Sequence, residues 1–280
     1  MPRNTYIKLA GGAAVVLLVI IILAVRLGSS RDTTEAAATN IAAGRQYLQQ
    51  LEAQDPAAVD KELKQLRQER LNELCQERLR QLEAGEVSVW TLFDDSVILG
   101  DSRAVGFWYF DFLPESQVLA EAGATILNLE EHIPELGKIN PSTLFLCYGL
   151  NDVSIGIWST PEEYAQQYAD IVGEIREVLP DVQIYISSIL PARDPAFEQS
   201  SAWYDIPQYS AAVEEMCKTN SCHYVNNDAL AEEYADLWEV DGVHVQREFY
   251  PHWAANLISA VYRAELEAND PDFADTKEED

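Results

Sequence analysis

Val97-Ile98-Leu99-Gly100-Asp101-Ser102-Arg103 is the stretch that decides how this chain of 280 residues is read. Three large aliphatic residues in succession, two of them β-branched, suit a strand buried on both faces. Gly100 ends the run. Asp101 and Ser102 are residue types that accept hydrogen bonds from the first N–H groups of a helix. The stretch therefore predicts a strand handing over to a helix, with the Ser102 hydroxyl at the carboxyl edge of a sheet. A hydroxyl there can attack, and a backbone N–H there can receive negative charge. Taken alone, Gly-Asp-Ser is also ordinary turn chemistry.

The same handover recurs downstream. Residues 117–120, 143–148, 182–188 and 223–226 read as four further strands. Helices are predicted over 103–111, 161–179, 207–219 and 248–266. The second of these is the clearest. Thr160 is a good N-cap, Pro161 fits the first turn, and Glu162 and Glu163 favour the positive end of the helix. Tyr164, Tyr168, Ile171, Ile175 and Leu179 form its apolar stripe. Apolar strands alternating with helices indicate an α/β fold with a five-stranded parallel sheet covered on both faces. Active sites in such sheets gather at the carboxyl ends of the strands.

Three further short segments carry chemistry. Gly123 offers a backbone N–H that a substrate can approach, because no side chain shields it. In Gly149-Leu150-Asn151-Asp152, just past the third strand, the Asn151 amide can donate to an oxyanion without titrating. In Asp241-Gly242-Val243-His244 an imidazole that titrates near neutrality stands three residues from a carboxylate that can fix its tautomer. Each segment alone could be a turn or a surface loop. Together, in this order, they supply a nucleophile, a base with its orienting acid, and oxyanion donors. His132, His223 and His252 have no matching acid nearby in sequence and read as surface or packing residues.

These segments resemble those of the SGNH hydrolases, the GDSL-type esterase superfamily, across roughly residues 90–265. The resemblance implies a flavodoxin-like three-layer α/β/α sandwich. It implies Ser102 as nucleophile, His244 as base and Asp241 as its orienting partner. The oxyanion hole would comprise the Ser102 N–H, the Gly123 N–H and the Asn151 side chain. The implied reaction passes through an acyl-enzyme and needs neither metal nor organic cofactor. Members similar to this chain are often membrane-anchored and act outside the cytoplasm.

The rest of the chain bounds the setting. Leu9 to Val25 is an unbroken run of apolar residues and glycines, flanked by Arg3, Lys8 and Arg26. It is read as an uncleaved signal anchor rather than a cleaved signal peptide. The expected layout is a cytoplasmic tail (1–8), a transmembrane anchor (9–27), a helical stalk or linker (28–86), the hydrolase domain (87–266) and an acidic disordered tail (267–280). The stalk could self-associate as a coiled coil or pack on the hydrolase domain. Residues 86–280 hold 8 Lys and Arg against 37 Asp and Glu. That field repels phosphate backbones, so nucleic acid is excluded as a partner. Of the four cysteines, Cys147 reads as a buried strand residue. Cys217 and Cys222 are read as separately packed thiols, with a local disulfide as the alternative in an exported domain.

Substrate chemistry is less defined. Phe107, Trp108, Tyr109, Trp158, Trp203, Tyr204, Trp238, Tyr250 and Trp253 lie near the motifs, and could form a platform for a glycan or acyl group, or core. The expected substrate is an extracytoplasmic glycan or lipid ester carrying acetyl or another short acyl group. Acyl transfer to an envelope glycan, and a degenerate membrane-anchored scaffold, are the competing readings.

Overall fold

A computed structural model describes residue 41, residues 43–46 and residues 55–269. The chain divides into two compact units, one ending at Leu66 and one beginning at Arg67. The second unit contains a parallel sheet of β1 (Ser96–Gly100), β2 (Val118–Ala120), β3 (Thr143–Cys147), β4 (Gln183–Ser187) and β5 (His223–Val225), in the order β2-β1-β3-β4-β5. Every predicted strand is present; β2 to β5 are shorter than the predicted runs by one or two residues, and β1 extends one residue beyond Val97–Leu99 at each end.

The central strands are buried on both sides, and strict alternation sorts their side chains. Val97, Leu99, Leu144, Leu146, Ile184 and Ile186 face one core. That core is closed by α3 (Leu129–Ile139), α5 (Pro161–Val178) and α6 (Ile206–Thr219). Ile98, Phe145, Tyr185 and Val225 face the other. There α2 (Ser102–Tyr109) and α8 (Phe249–Asn269) cover the sheet. Two short helices, α4 (Leu150–Ile155) and α7 (Asp228–Glu233), follow β3 and β5. The result is the expected three-layer α/β/α arrangement. Thr160 caps α5 as predicted, its hydroxyl accepting from the Glu163 N–H at 3.2 Å.

The predicted stalk contains a 28-residue helix, α1 (Pro56–Glu83). Within the second unit this helix is part of the fold. Leu71, Cys75 and Leu82 are buried, and the Ser259 hydroxyl donates to the Cys75 carbonyl at 3.5 Å. Arg263 donates to Asn72 (2.7 Å), and the Tyr234 hydroxyl donates to Glu83 (3.1 Å). The compact unit thus begins inside the segment assigned to the stalk, because α8 needs an apolar partner on its outer side. The predicted anchor at 9–27 lies outside the described residues, as does the acidic tail beyond residue 269. Among the described residues no helix is long and apolar enough to cross a membrane.

One contact links the helix that carries Ser102 to the end of the chain. The Tyr250 ring of α8 lies where a side chain on Gly106 would stand: an added Cβ would be 1.9 Å from its hydroxyl and 2.1 Å from Cζ. Gly106→Ala must push α2 and α8 apart. Such overpacking costs about 1–3 kcal/mol, so its Tm should fall by roughly 3–10 °C in thermal denaturation. An unchanged Tm would show that this contact does not set the helix position.

Candidate active site

Ser102 is the first residue of α2, directly after β1 and Asp101. Asp101 is the N-cap and is 1% exposed; its Oδ1 accepts from the Arg103 N–H at 3.0 Å. The Arg103 guanidinium is also buried, 3.8 Å from Asp101 Oδ1, and donates to the Leu190 carbonyl at 2.6 Å. Burial pushes the Arg103 guanidinium below its ordinary value, and the Asp101 carboxylate opposes this. The Tyr250 hydroxyl donates to the Arg103 carbonyl at 2.8 Å. The turn presenting Ser102 is therefore gripped from β1, from the segment after β4 and from α8.

Asp241 and His244 arrive on a tight reversal between residues 238 and 245, where Trp238 and Val245 form an antiparallel bridge. The Glu239 N–H donates to the His244 carbonyl (2.8 Å), and the Arg193 N–H to the Gly242 carbonyl (2.8 Å). Asp241 Oδ1 accepts from the N–H groups of Val243 (2.8 Å) and His244 (2.9 Å), while Oδ2 lies 2.7 Å from His244 Nδ1. His244 Nε2 lies 3.0 Å from Ser102 Oγ. Partial burial pushes the Asp241 carboxyl up, but the imidazole and the two backbone N–H groups outweigh it and hold it below its ordinary value. An ionised carboxylate can only accept, so Nδ1 carries the proton. The Nε2 lone pair then faces the Ser102 hydroxyl. Three residues singled out in the sequence thus form one hydrogen-bonded chain.

The other two follow β2 and β3, the strands on either side of β1. Gly123 sits at φ +81°, a left-handed conformation that favours glycine, and nothing lies within 4 Å of where its Cβ would be. Among the described residues its N–H has no acceptor. The Asn151 amide donates to the Ala124 carbonyl at 2.9 Å. One amide hydrogen thus ties Asn151 to the Gly123 loop and leaves its second donor for another partner. Next to it, Asp152 is 0% exposed and its Oδ1 accepts from the Ile126 N–H at 2.9 Å. Burial pushes the Asp152 carboxyl up to about 7, against the pull of the Ile126 N–H and with some help from the Asp101 charge. Sequence reasoning passed over Arg103 and Asp152 because their partners are distant along the chain.

The aromatic residues near the motifs divide. Phe107, Tyr250 and Trp253 are core, and Trp203 and Trp238 are buried too, whereas Tyr109 and Tyr204 are exposed. His223 stacks on Tyr185, and His252 stacks on Tyr234 and pairs with Glu83, so both are packing residues. All four cysteines are free and buried. Among the described residues no group of three or more His, Cys, Asp and Glu side chains is placed to hold a metal ion. A groove of about 630 Å³ between α5 and α6, lined by Glu162, Gln166, Gln208 and Glu215, includes none of the residues above.

Residues 98–251 match the profile of the GDSL-like lipase/acylhydrolase family. The chain belongs to this family. It is therefore a hydrolase, and the matched span runs from β1 through the His244 reversal into α8. A protein of Parabacteroides merdae assigned as a GDSL-like lipase has a similar structure. Its TM-score is 0.50 at 20% identity, with 60% of this chain and 96% of that chain covered. A GDSL-like lipase of Bacteroides thetaiotaomicron gives 0.47 at 20% identity, with 60% and 88% covered. The lipase/acylhydrolase of Enterococcus faecalis gives 0.49 at 14% identity, with 61% and 96% covered. At such identities the likeness concerns the fold. No curated relative matches the sequence.

Asp152 gives the family fold a pH signature here. The carboxyl binds its proton more tightly in the folded chain (about 7) than at its ordinary value of 3.8. Its contribution to stability therefore falls as pH rises from 4 to 7 and levels off above, by at most about 4 kcal/mol. The titratable groups that interact with it are Asp101, Tyr148, Tyr164, Tyr168 and Tyr209, and burial raises the four phenols so that they stay neutral across this range. Asp152→Asn cannot ionise, so its Tm relative to the parent should rise between about pH 4 and pH 8. A Tm difference independent of pH would contradict this.

Proposed function

We propose that the protein is a serine esterase working through an acyl-enzyme. Ser102 Oγ attacks the ester carbonyl carbon while its proton passes to His244 Nε2. The Asp241 carboxylate holds the imidazole in the needed tautomer and stabilises the imidazolium that forms. The N–H groups of Ser102 and Gly123 and the free donor of Asn151 receive the oxyanion. His244 then gives its proton to the departing alcohol. Water attacks the acyl-enzyme by the same route, releasing the carboxylic acid and restoring the Ser102 hydroxyl.

The observation that carries this reading is the 2.7 Å and 3.0 Å pair of contacts that links Asp241 to His244 and His244 to Ser102. A structural histidine has no need of a hydroxyl on a helix N-terminus 142 residues away. The charge field favours neutral or cationic substrates over polyanions. The exposed rings of Tyr109 and Tyr204 offer flat apolar surface. We infer a short acyl group, acetyl first, on a glycan or lipid ester. The apolar run from Leu9 to Val25 supports a membrane-anchored enzyme working outside the cytoplasm.

The test is hydrolysis of p-nitrophenyl acetate and butyrate by the full chain. Ser102→Ala and His244→Ala should each lower kcat by about 10⁴-fold or more, with the fold kept by circular dichroism. Asp241→Asn should cost less than His244→Ala, because it disturbs orientation and not the base itself. Wild-type turnover by Ser102→Ala would remove the nucleophile assignment. Equal and negligible losses at Asp241 and His244 would point to another base.

A further inference from the structure

Asp152 carries more structure than its reading as a turn residue explains. It is fully buried at the start of α4, directly after Asn151. Its Oδ1 takes the Ile126 N–H at 2.9 Å, while the Asn151 amide donates to the Ala124 carbonyl at 2.9 Å. Two successive side chains of α4 thus grip the loop 123–126 from opposite sides of its chemistry, one as acceptor and one as donor. The loop has its own internal clasp, a capping box in which Asn128 Oδ1 accepts from the Thr125 N–H at 2.9 Å. That clasp fixes the loop's shape but not its distance from α4. The Asn151 and Asp152 contacts do that, together with the burial of Ala124 and Ile126 in the core that also holds Leu150 and Val153. Asp152 Oδ2 is buried with no hydrogen-bond partner among the described residues. A group retained there at the cost of desolvation calls for an explanation beyond packing.

We propose that Asp152 is a positioning residue for the oxyanion donors. By holding the Ile126 N–H it keeps the Gly123 N–H and the Asn151 amide at a fixed separation. This rests on the proposed role of those two groups as oxyanion donors. Asp152 does not touch the reacting atoms. It acts through the loop, and its loss lets the Gly123 donor drift. Transition-state charge stabilisation depends on such preorganisation, and a donor displaced by about 1 Å gives up much of its effect.

The experiment compares Asp152→Asn with Asp152→Leu in the full chain, using p-nitrophenyl acetate and active-site titration to count working sites. The amide oxygen of Asn still accepts from Ile126, whereas Leu fills similar space and accepts nothing. Asp152→Leu should lower kcat per titrated site by about 10²-fold with KM within about threefold, and Asp152→Asn should stay within about fivefold of the parent. Should Asp152→Leu yield no titratable sites, Asp152→Ala takes its place in the same comparison. Asn151→Ala should also lower kcat about 10²-fold, and the double variant with Asp152→Leu should lose much less than the product of the two. Parent-like kcat per site in Asp152→Leu beside a crippled Asn151→Ala would overturn the inference alone. So would a multiplicative double variant, or an Asn variant as impaired as Leu. Parent-like kcat in Asn151→Ala would overturn the oxyanion reading itself, and the inference with it.

Discussion

The site depends on one buried turn. Where β1 gives way to α2, the Asp101 carboxylate takes the Arg103 N–H and faces the Arg103 guanidinium, both side chains sealed from water. A buried carboxylate and a buried guanidinium are each costly alone and tolerable when they face each other and each is hydrogen-bonded to the backbone. Together they fix the residue between them. Ser102 is held at the N-terminus of a helix with its hydroxyl outward and its N–H unclaimed by the helix. Everything else in the site is arranged around that point.

The sheet explains how distant segments reach it. All five strands are parallel, so every carboxyl end lies on the same edge. β1 lies between β2 and β3, and the segments after these three strands supply Ser102, Gly123 and Asn151. The two later segments are tied to each other by the Asn151 and Asp152 contacts. The Asp241–His244 reversal reaches the same edge because its Gly242 carbonyl is held by the segment after β4. Family membership makes the chain a hydrolase, and the contacts that join Asp241, His244 and Ser102 carry the proposed chemistry.

Much of this could be read from residues close together in the chain. The strands were legible because each is a short aliphatic run bounded by polar or glycine residues, and α5 because cap, proline and stripe coincide. Asp241 and His244 were legible as a pair because only Gly242 and Val243 stand between them. By contrast α3 was not legible, since Pro134 stands inside it. Arg103 and Asp152 escaped for a different reason. Their partners, the Leu190 carbonyl and the Ile126 N–H, are backbone groups 87 and 26 residues away, and backbone groups leave no mark in composition. The packing of α1 on α8 was one of two readings, because Leu63, Leu66, Leu71, Leu74, Leu79 and Leu82 are spaced by three and five residues and keep to no single face.

The most direct measurement is covalent. An alkyl fluorophosphonate reacts with an activated serine and leaves a stable adduct that peptide mass spectrometry locates. The account predicts a single adduct on Ser102 in the full chain, and a rate of labelling that collapses in His244→Ala. Labelling of another residue, or equal labelling with and without His244, would contradict the claim that this imidazole activates this hydroxyl.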